Sequence, residues 1–284
     1  MNNRIFAVIV TYNPDVDILR QQCHSILGQV QGIVYVDNAS AEINVLLTEF
    51  QSIAYFICND ENLGLGKAQN QGILLAKEKG ATHILLLDQD TVTSINFVTS
   101  LLGVYEKYCN ARKIAVVAPV YYDRSSKCKL SEGIIFAGVR IKRIPVNEEY
   151  QSVSYCIASG SLLSVQALND VGLMKEELFI DSLDLEWCLR AKSLGYDVVM
   201  TNKTHMSHSI GIEAKNRILA HSPFREYYIC RNSIILLFLP YVPLGYKIRK
   251  MVMIPLRLIY SLCSGNLIYF VSGVKGIWSE FKFK

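Results

Sequence analysis

No CxxC pair occurs among the eight cysteines, which lie scattered at positions 23, 58, 109, 128, 156, 188, 230 and 263. Without paired spacing there is no framework for a disulfide-stapled domain, and reduced thiols in a cytosolic setting are expected. Low-complexity tracts and internal repeats are also missing. Charged residues make up only 19% of the chain against 51% hydrophobic, which excludes a disordered or fibrous protein and calls for a packed core. The opening MNNRIFAVIVTYNPD runs straight into a strand-like stretch without a small-residue cleavage site, so no secretory signal is expected. Neither GxGxxG nor the P-loop pattern is found, which disfavours a dinucleotide dehydrogenase or a P-loop NTPase. At 284 residues the chain suffices for one large domain, or for one of common size with an appendage.

Acidic residues are scarce in one segment. Residues 231–284 hold eight Lys or Arg against the single acid Glu280, a net +7, while residues 1–230 hold 21 bases and 24 acids, a net −3. Pro240, Pro243 and Pro255 cut the apolar runs of this tail, and its longest uncharged stretch, 258–274, is seventeen residues broken by serines, Asn266 and glycines. That falls short of a membrane span. Nine aromatics with an excess of positive charge suit helices lying in the interface of an anionic bilayer; a dimerisation face or an ordinary helical subdomain is the alternative. The division expected is residues 1–222 as the main domain and 223–284 as a basic, aromatic-rich helical segment.

What is present is an alternation of strands and helices. RIFAVIVTY (4–12) is apolar and β-branched, and Asn13-Pro14-Asp15 breaks it and offers a helix start. A helix over roughly 15–28, strands at 32–38 and near 53–58, a helix near 66–79 and the strand 83–88 follow. Near-continuous hydrophobic strands alternating with helices predict a mainly parallel α/β sheet covered on both faces. Ligands in such sheets sit beyond the carboxyl ends of the strands. Thr11, then Asp37 with Asn38, then Asn59 to Asn62, then Asp88 with Asp90 would line that edge. From 113 to 165 shorter strand-like pieces (KIAVVAPV, GIIFAGVRI, SVSYCIASGSLLS) complete a mixed edge, and 182–196 reads as a helix closed by Gly195.

Four stretches could carry chemistry. In ILLLDQD, Asp88 and Asp90 repel each other beside a buried strand, and a hard divalent cation such as Mg²⁺ or Mn²⁺ would relieve the conflict while bridging to phosphates; alternatively Asp88 caps the next turn and Asp90 faces water. NDENLGLGKAQNQGI (59–73) enters a helix through Gly64 and Gly66 and carries Lys67, Gln69 and Asn70 in its first turns, a place for an anion or a nucleotide's polar edge, or simply a turn with its cap. LFIDSLDLEWCLR brings Asp181, Asp184 and Glu186; on a helix opening there, 181 and 184 would share a face and 186 would point elsewhere, though acids at a helix start also suit the macrodipole. Finally, His205 and His208 could ligate a metal or form a surface pair, and Arg225 and Arg231 could bind a diphosphate or anchor their helix to acids on the main domain.

Taken in order, VTYNP, VDNAS, NLGLGKAQNQG, LLLDQD, FIDSLDLEWCLR, HSIG and PFREYYICRN resemble the GT-A family 2 glycosyltransferases, and among them the bacterial rhamnosyltransferases of O-antigen and cell-surface polysaccharide synthesis. The resemblance covers about residues 4–232. It implies that Thr11, Asp37 and Asn38 hold base and ribose, that Lys67 and Asn70 lie near the base, and that Asp88 and Asp90 hold the divalent cation on the diphosphate. His208, or less readily His205, completes the metal site. The general base implied is Asp184, with Asp181 as competitor because Leu183 stands where the family pattern often has an acid. Arg225 or Arg231 would assist the leaving diphosphate.

The activity so implied is inverting, metal-dependent transfer of L-rhamnose from dTDP-L-rhamnose to a lipid-linked saccharide at the cytoplasmic face of the cell membrane. No nucleic-acid partner is implied. The alternatives are another donor on the same fold (UDP-galactofuranose, UDP-glucose or UDP-galactose), a nucleotidyltransferase, and a noncatalytic nucleotide-binding scaffold.

Overall fold

The computed structural model describes residues 3–123, 131–208 and 222–282. The first half alternates strands and helices: β1 (Ile5–Thr11), α1 (Val16–Ile26), β2 (Gly32–Asp37), α2 (Ile43–Phe50), β3 (Tyr55–Cys58), α3 (Leu65–Glu78) and β4 (His83–Asp88), of which all but α2 are expected from the hydrophobic pattern. A two-residue strand β5 (Val92–Thr93), α4 (Phe97–Tyr108) and the long β6 (Ile114–Asp123) follow. Next come the hairpin β7 (Gly133–Ala137) and β8 (Arg140–Ile144), then β9 (Gln151–Val153), β10 (Ser161–Ser164), α5 (Val165–Val171) and a 3-10 turn over Glu176–Leu178. The chain closes with α6 (Leu183–Ser193), β11 (Asp197–His208), α7 (Pro223–Phe238), α8 (Leu244–Cys263) and α9 (Leu267–Lys282).

One sheet runs in the order β3-β2-β1-β4-β10-β6-β11-β5, with β9 on β11. β3, β2, β1 and β4 are mutually parallel, and β10 enters antiparallel between β4 and β6. Thr11 pairs with Asp37 and Val10 with Asp88, so three strands deliver their last residues to one edge.

The two faces of β1 divide with period two. Ile5, Ala7 and Ile9 pack with Leu19, Phe50 and Phe97 of α1, α2 and α4, whereas Phe6 and Val8 pack with Ala68 and Ile73 of α3 and with Trp187 of α6. Each Val, Leu, Ile or Phe side chain so buried contributes about 1.5–3 kcal/mol. Close contact of α3 with the sheet depends on Gly72, where a Cβ would stand 2.4 Å from Val8 Cγ1.

Two local expectations are revised. GIIFAGVRI is not one strand but the β7–β8 hairpin, reversed at Gly138 with φ +59°. Pro255, one of the prolines that cut the apolar runs of the tail, lies within the 20-residue α8. α6 starts at Leu183, so Asp181 precedes the helix and does not share a helical face with Asp184. Gly195 does follow the end of α6, with φ +80°.

α7 to α9 form a group of helices tied to each other by ion pairs. Glu226, 1% exposed, accepts from both Nε and Nη2 of Arg257, and Arg231 Nε donates to Glu280 Oε1 at 2.8 Å. No helix among the described residues is long and apolar enough to cross a membrane.

Candidate active site

The DQD turn is held from three directions. Gln22, a polar residue on the buried stripe of α1, donates through Nε2 to the carbonyls of Asp88 and Thr91. The Asp88 amide donates to Ser159 Oγ at 3.0 Å, and Ser159 shares a hydrogen bond with Thr91 Oγ1 at 2.7 Å. Gln89 Oε1 accepts from the Tyr12 amide at 2.8 Å, which fastens the turn to the end of β1. Gln22 and Ser159 carry no site signature in the sequence, although a fully buried Gln among Leu19, Cys23 and Ile26 is a polar interruption that asks for a partner.

Asp88 opens into a cavity of about 370 Å³ that also receives Gln69, Tyr121, Asp181, Asp184 and Arg225. Elements far apart in the chain meet here: the end of β4, the second turn of α3, the segment before α6, and the start of α7.

Asp184 sits in the first turn of α6 with Oδ1 accepting from the Leu185 amide at 2.8 Å. Burial lifts its pKa to about 6, reinforced by the charges of Asp88 and Asp181 and opposed by that amide. Asp181 is differently engaged. Both of its oxygens receive the Arg225 guanidinium, with Nε to Oδ2 at 3.1 Å. Asp184, unlike Asp181, has no arginine bonded to its carboxylate among the described residues.

The segment leading into α6 is strained. Phe179, Asp181 and Ser182 all have φ between +59° and +66°, at a cost of about 1–2 kcal/mol per residue. Several contacts hold it. Asn232 of α7, fully buried, donates through Nδ2 to the carbonyls of Leu178, Ile180 and Asp181 at 2.9, 2.7 and 2.9 Å. The Phe179 carbonyl accepts from the Leu65 and Gly66 amides at 2.6 and 3.3 Å. Gly64 makes that approach possible: its φ is +85°, and a Cβ there would lie 2.5 Å from the Phe179 ring. The start of α3 therefore receives the strained segment, with the Phe179 carbonyl on its first amides.

The remaining residues singled out from sequence fall outside this cavity. Thr11 Oγ1 donates to Asp37 Oδ1 at 2.8 Å, and the other Asp37 oxygen accepts the Ser40 amide at 2.7 Å, closing the turn after β2. Asn38 donates to the Gly64 carbonyl at 3.3 Å and accepts from Asn59 at 3.0 Å. Asn70 is buried, bonding the backbone of Met174 and Glu176 Oε1. Lys67 is exposed. Arg231 reaches Glu280 and the Glu177 carbonyl, so it braces the helices. Glu186 is buried beneath Arg190 at 2.9 Å and also receives the Tyr241 hydroxyl. His205 is exposed, edge-on to the Tyr122 ring at 5.3 Å. The backbone of His208 ends β11, and its side chain lies outside the described residues.

The sequence places Gln69 with Lys67 and Asn70 at a helix entry suited to an anion or a nucleotide's polar edge. Gln69 is 5% exposed, lines the cavity, and its Oε1 has no hydrogen-bond partner among the described residues, a group suited to meeting a ligand's hydroxyl.

Among the described residues no group of three or more His, Cys, Asp or Glu is arranged to hold a metal. The donor set still fits a hard cation: two carboxylates one residue apart, of which Asp88 is near enough to Asp184 that its charge adds to the burial raising the Asp184 pKa.

Residues 6–172 match the glycosyl transferase family 2 model. Over 265 residues the chain is 35% identical to the dTDP-rhamnosyl transferase RfbF of Shigella flexneri, covering 89% of this chain and 86% of that protein. The chain belongs to glycosyl transferase family 2. As a glycosyltransferase it shares its fold with solved structures at much lower identity. GalNAc-T7 with UDP, GalNAc and Mn²⁺ aligns with a TM-score of 0.61 at 14% identity over 84% of this chain, which spans about half (52%) of that one. Staphylococcus aureus TarS 1-349 in complex with UDP-GlcNAc aligns with a TM-score of 0.57 at 15% identity, over 84% of this chain and 67% of that one. These likenesses establish the GT-A architecture of the glycosyltransferase.

Proposed function

We propose that this glycosyltransferase moves L-rhamnose from dTDP-L-rhamnose to a hydroxyl of a lipid-linked saccharide, with inversion at the anomeric carbon. The reading is carried by one arrangement: Asp184, a carboxylate with pKa near 6, faces the same cavity as Asp88 at the end of β4. The rhamnosyl donor is supported by the 35% identity to RfbF across most of both chains.

In the reaction the acceptor oxygen attacks the anomeric carbon and its proton passes to Asp184. The bond between that carbon and the nucleoside diphosphate breaks, and the diphosphate departs with the bonding electron pair. A base with pKa near 6 is ionised at neutral pH yet basic enough to accept a proton from an oxygen whose acidity is rising. Arg225 holds Asp181, so its guanidinium orders the cavity wall and places positive charge beside the leaving group. Asp88 and Asp90, with His208, would hold a divalent cation, Mg²⁺ or Mn²⁺, which when bound offsets charge on the diphosphate. Thr11, Asp37, Asn38, Lys67 and Asn70 would take the nucleoside.

The outer faces of α8 and α9 support residence on the cytoplasmic leaflet. Met251, Val252, Leu256, Ile259, Leu267 and Trp278 are each more than half exposed, within the segment of net charge +7. Such a surface suits an anionic bilayer.

The test is hydrolysis and binding of dTDP-L-rhamnose, UDP-galactose, UDP-glucose and UDP-galactofuranose by the purified protein with Mg²⁺, Mn²⁺ or chelator. Cation-dependent preference for dTDP-L-rhamnose is the expected result; faster turnover of a UDP sugar would displace the rhamnosyl assignment, and chelator-insensitive turnover the cation.

A further inference from the structure

A second cavity, of about 790 Å³, adjoins the first at Ser182, Asp184 and Ile157. Its walls are mostly apolar: Phe136 and Ile141 from the hairpin, Ile229 from α7, and Tyr246, Met253 and Ile254 from α8. Four basic side chains also line it, Arg143, Arg249, Lys250 and Arg257. Two of them are paired, Arg143 with Glu132 at 3.7 Å and Arg257 with Glu226.

Lys250 is not. It is half-buried, its Nζ lies 5.4 Å from the centroid of the Tyr246 ring, and no carboxylate stands within ion-pair distance of it among the described residues. Burial lowers its pKa from the usual lysine range, and Arg257 and Arg249 push the same way against Cys230 and Asp181. An ammonium kept under such conditions is unfavourable unless an anion visits it. Apolar walls with clustered cations describe a site for an amphiphile with an anionic head, and phosphate oxygens suit a lysine flanked by guanidiniums. The geometry also connects inside to outside. Tyr246, Lys250, Ile254 and Arg257 face the cavity from α8, while Val252, Leu256 and Ile259 of the same helix are 55%, 52% and 55% exposed, although Leu256 also borders the cavity.

We propose that the acceptor binds in this cavity through a lipid phosphate or diphosphate, with Lys250 and Arg249 on its phosphate oxygens, its chain along the apolar walls, and its sugar hydroxyl directed to Asp184. The inference rests on the glycosyl-transfer reading, in which Asp184 is the base. It separates two anions: the donor diphosphate belongs to the Asp88 side, and the acceptor phosphate to the α8 side.

Farnesyl diphosphate, kept below its micelle concentration, is a suitable probe for calorimetry on the full chain saturated with dTDP. It is expected to bind alongside dTDP, with farnesol and inorganic diphosphate each at least about tenfold weaker. Lys250→Gln is expected to weaken farnesyl diphosphate about tenfold or more and to leave dTDP affinity unchanged, while Lys250→Arg retains binding. Arg249→Gln, at an exposed helical position that cannot upset the core, should show a smaller loss of the same kind. Equal binding by wild type and Lys250→Gln, equal binding of farnesol, or displacement of farnesyl diphosphate by dTDP would each overturn the proposal. Failure of dTDP and dTDP-L-rhamnose to bind, with farnesyl diphosphate binding intact, would instead strike the donor reading.

Discussion

Asp184 and Asp181 are three residues apart and chemically alike, yet their surroundings give them different work. Arg225 satisfies Asp181 with two hydrogen bonds, whereas Asp184 is buried beside other acids and rises to a pKa of about 6. The sign follows for catalysis: the base acts as the carboxylate, so kcat/KM should climb about tenfold per pH unit below pH 6 and level off above it. A cation near Asp88 would favour the carboxylate and move this limb to lower pH. Asp184→Asn is expected to lower kcat by about 10²–10⁴-fold with donor affinity retained. Its folded pKa exceeds that of the unfolded chain, so the ionised group opposes folding above about pH 4 and increasingly through pH 6. The Asn variant should therefore melt no lower than wild type at pH 7. A variant that retained full turnover would remove Asp184 from the mechanism.

At the scale of elements, α7 acts as a clamp on the strained entry to α6. One amide, Asn232 Nδ2, meets three carbonyls of the segment 178–181. Asn232→Ala is expected to lower stability by about 2–3 kcal/mol, because buried carbonyls lose their donor. Asn232→Asp preserves the shape but aims an acceptor at three acceptors, so its loss should exceed that of Ala. Urea midpoints measure the difference, and kcat should fall more than donor affinity as Asp184 loses its setting. The same motif shows how far sequence reading reached. Arg225, Arg231 and Asn232 lie within PFREYYICRN, and the alternative that this helix anchors itself to acids on the main domain describes Arg225, which grips Asp181. Nothing in the local spacing announces Asn232, whose partners stand more than 50 positions earlier in the chain.

For the whole molecule, the exposed apolar side of α8 and α9 adjoins the cavity that opens toward Asp184. Vesicle flotation should show binding to anionic liposomes that weakens as salt is raised, with much less binding to neutral ones. Val252→Asp combined with Ile259→Asp, both on the outer face, should reduce flotation without altering hydrolysis of a soluble donor. Equal flotation by wild type and the double variant would argue against this face as the membrane contact.

The alternation of apolar strands with helices, and the polar residues at strand ends, could be read from the sequence because both express local rules: side-chain period, turn chemistry, and the crevice beyond parallel strands. The sequence alone thus determined the sheet, the position of Asp88 at its edge, and the candidacy of Asp184. Tertiary structure decided what each polar group does there. Thr11 and Asp37 bond each other, Asn70 bonds the segment before α6, and Gln22 and Ser159 support the DQD turn, none of which spacing could reveal. Likewise the choice between Asp181 and Asp184 turns on a guanidinium 44 positions away, and the large cavity exists only where the hairpin, α7 and α8 converge. Hydrogen bonds and burial depend on distance in space, and the chain order that fixes local conformation leaves those distances to packing.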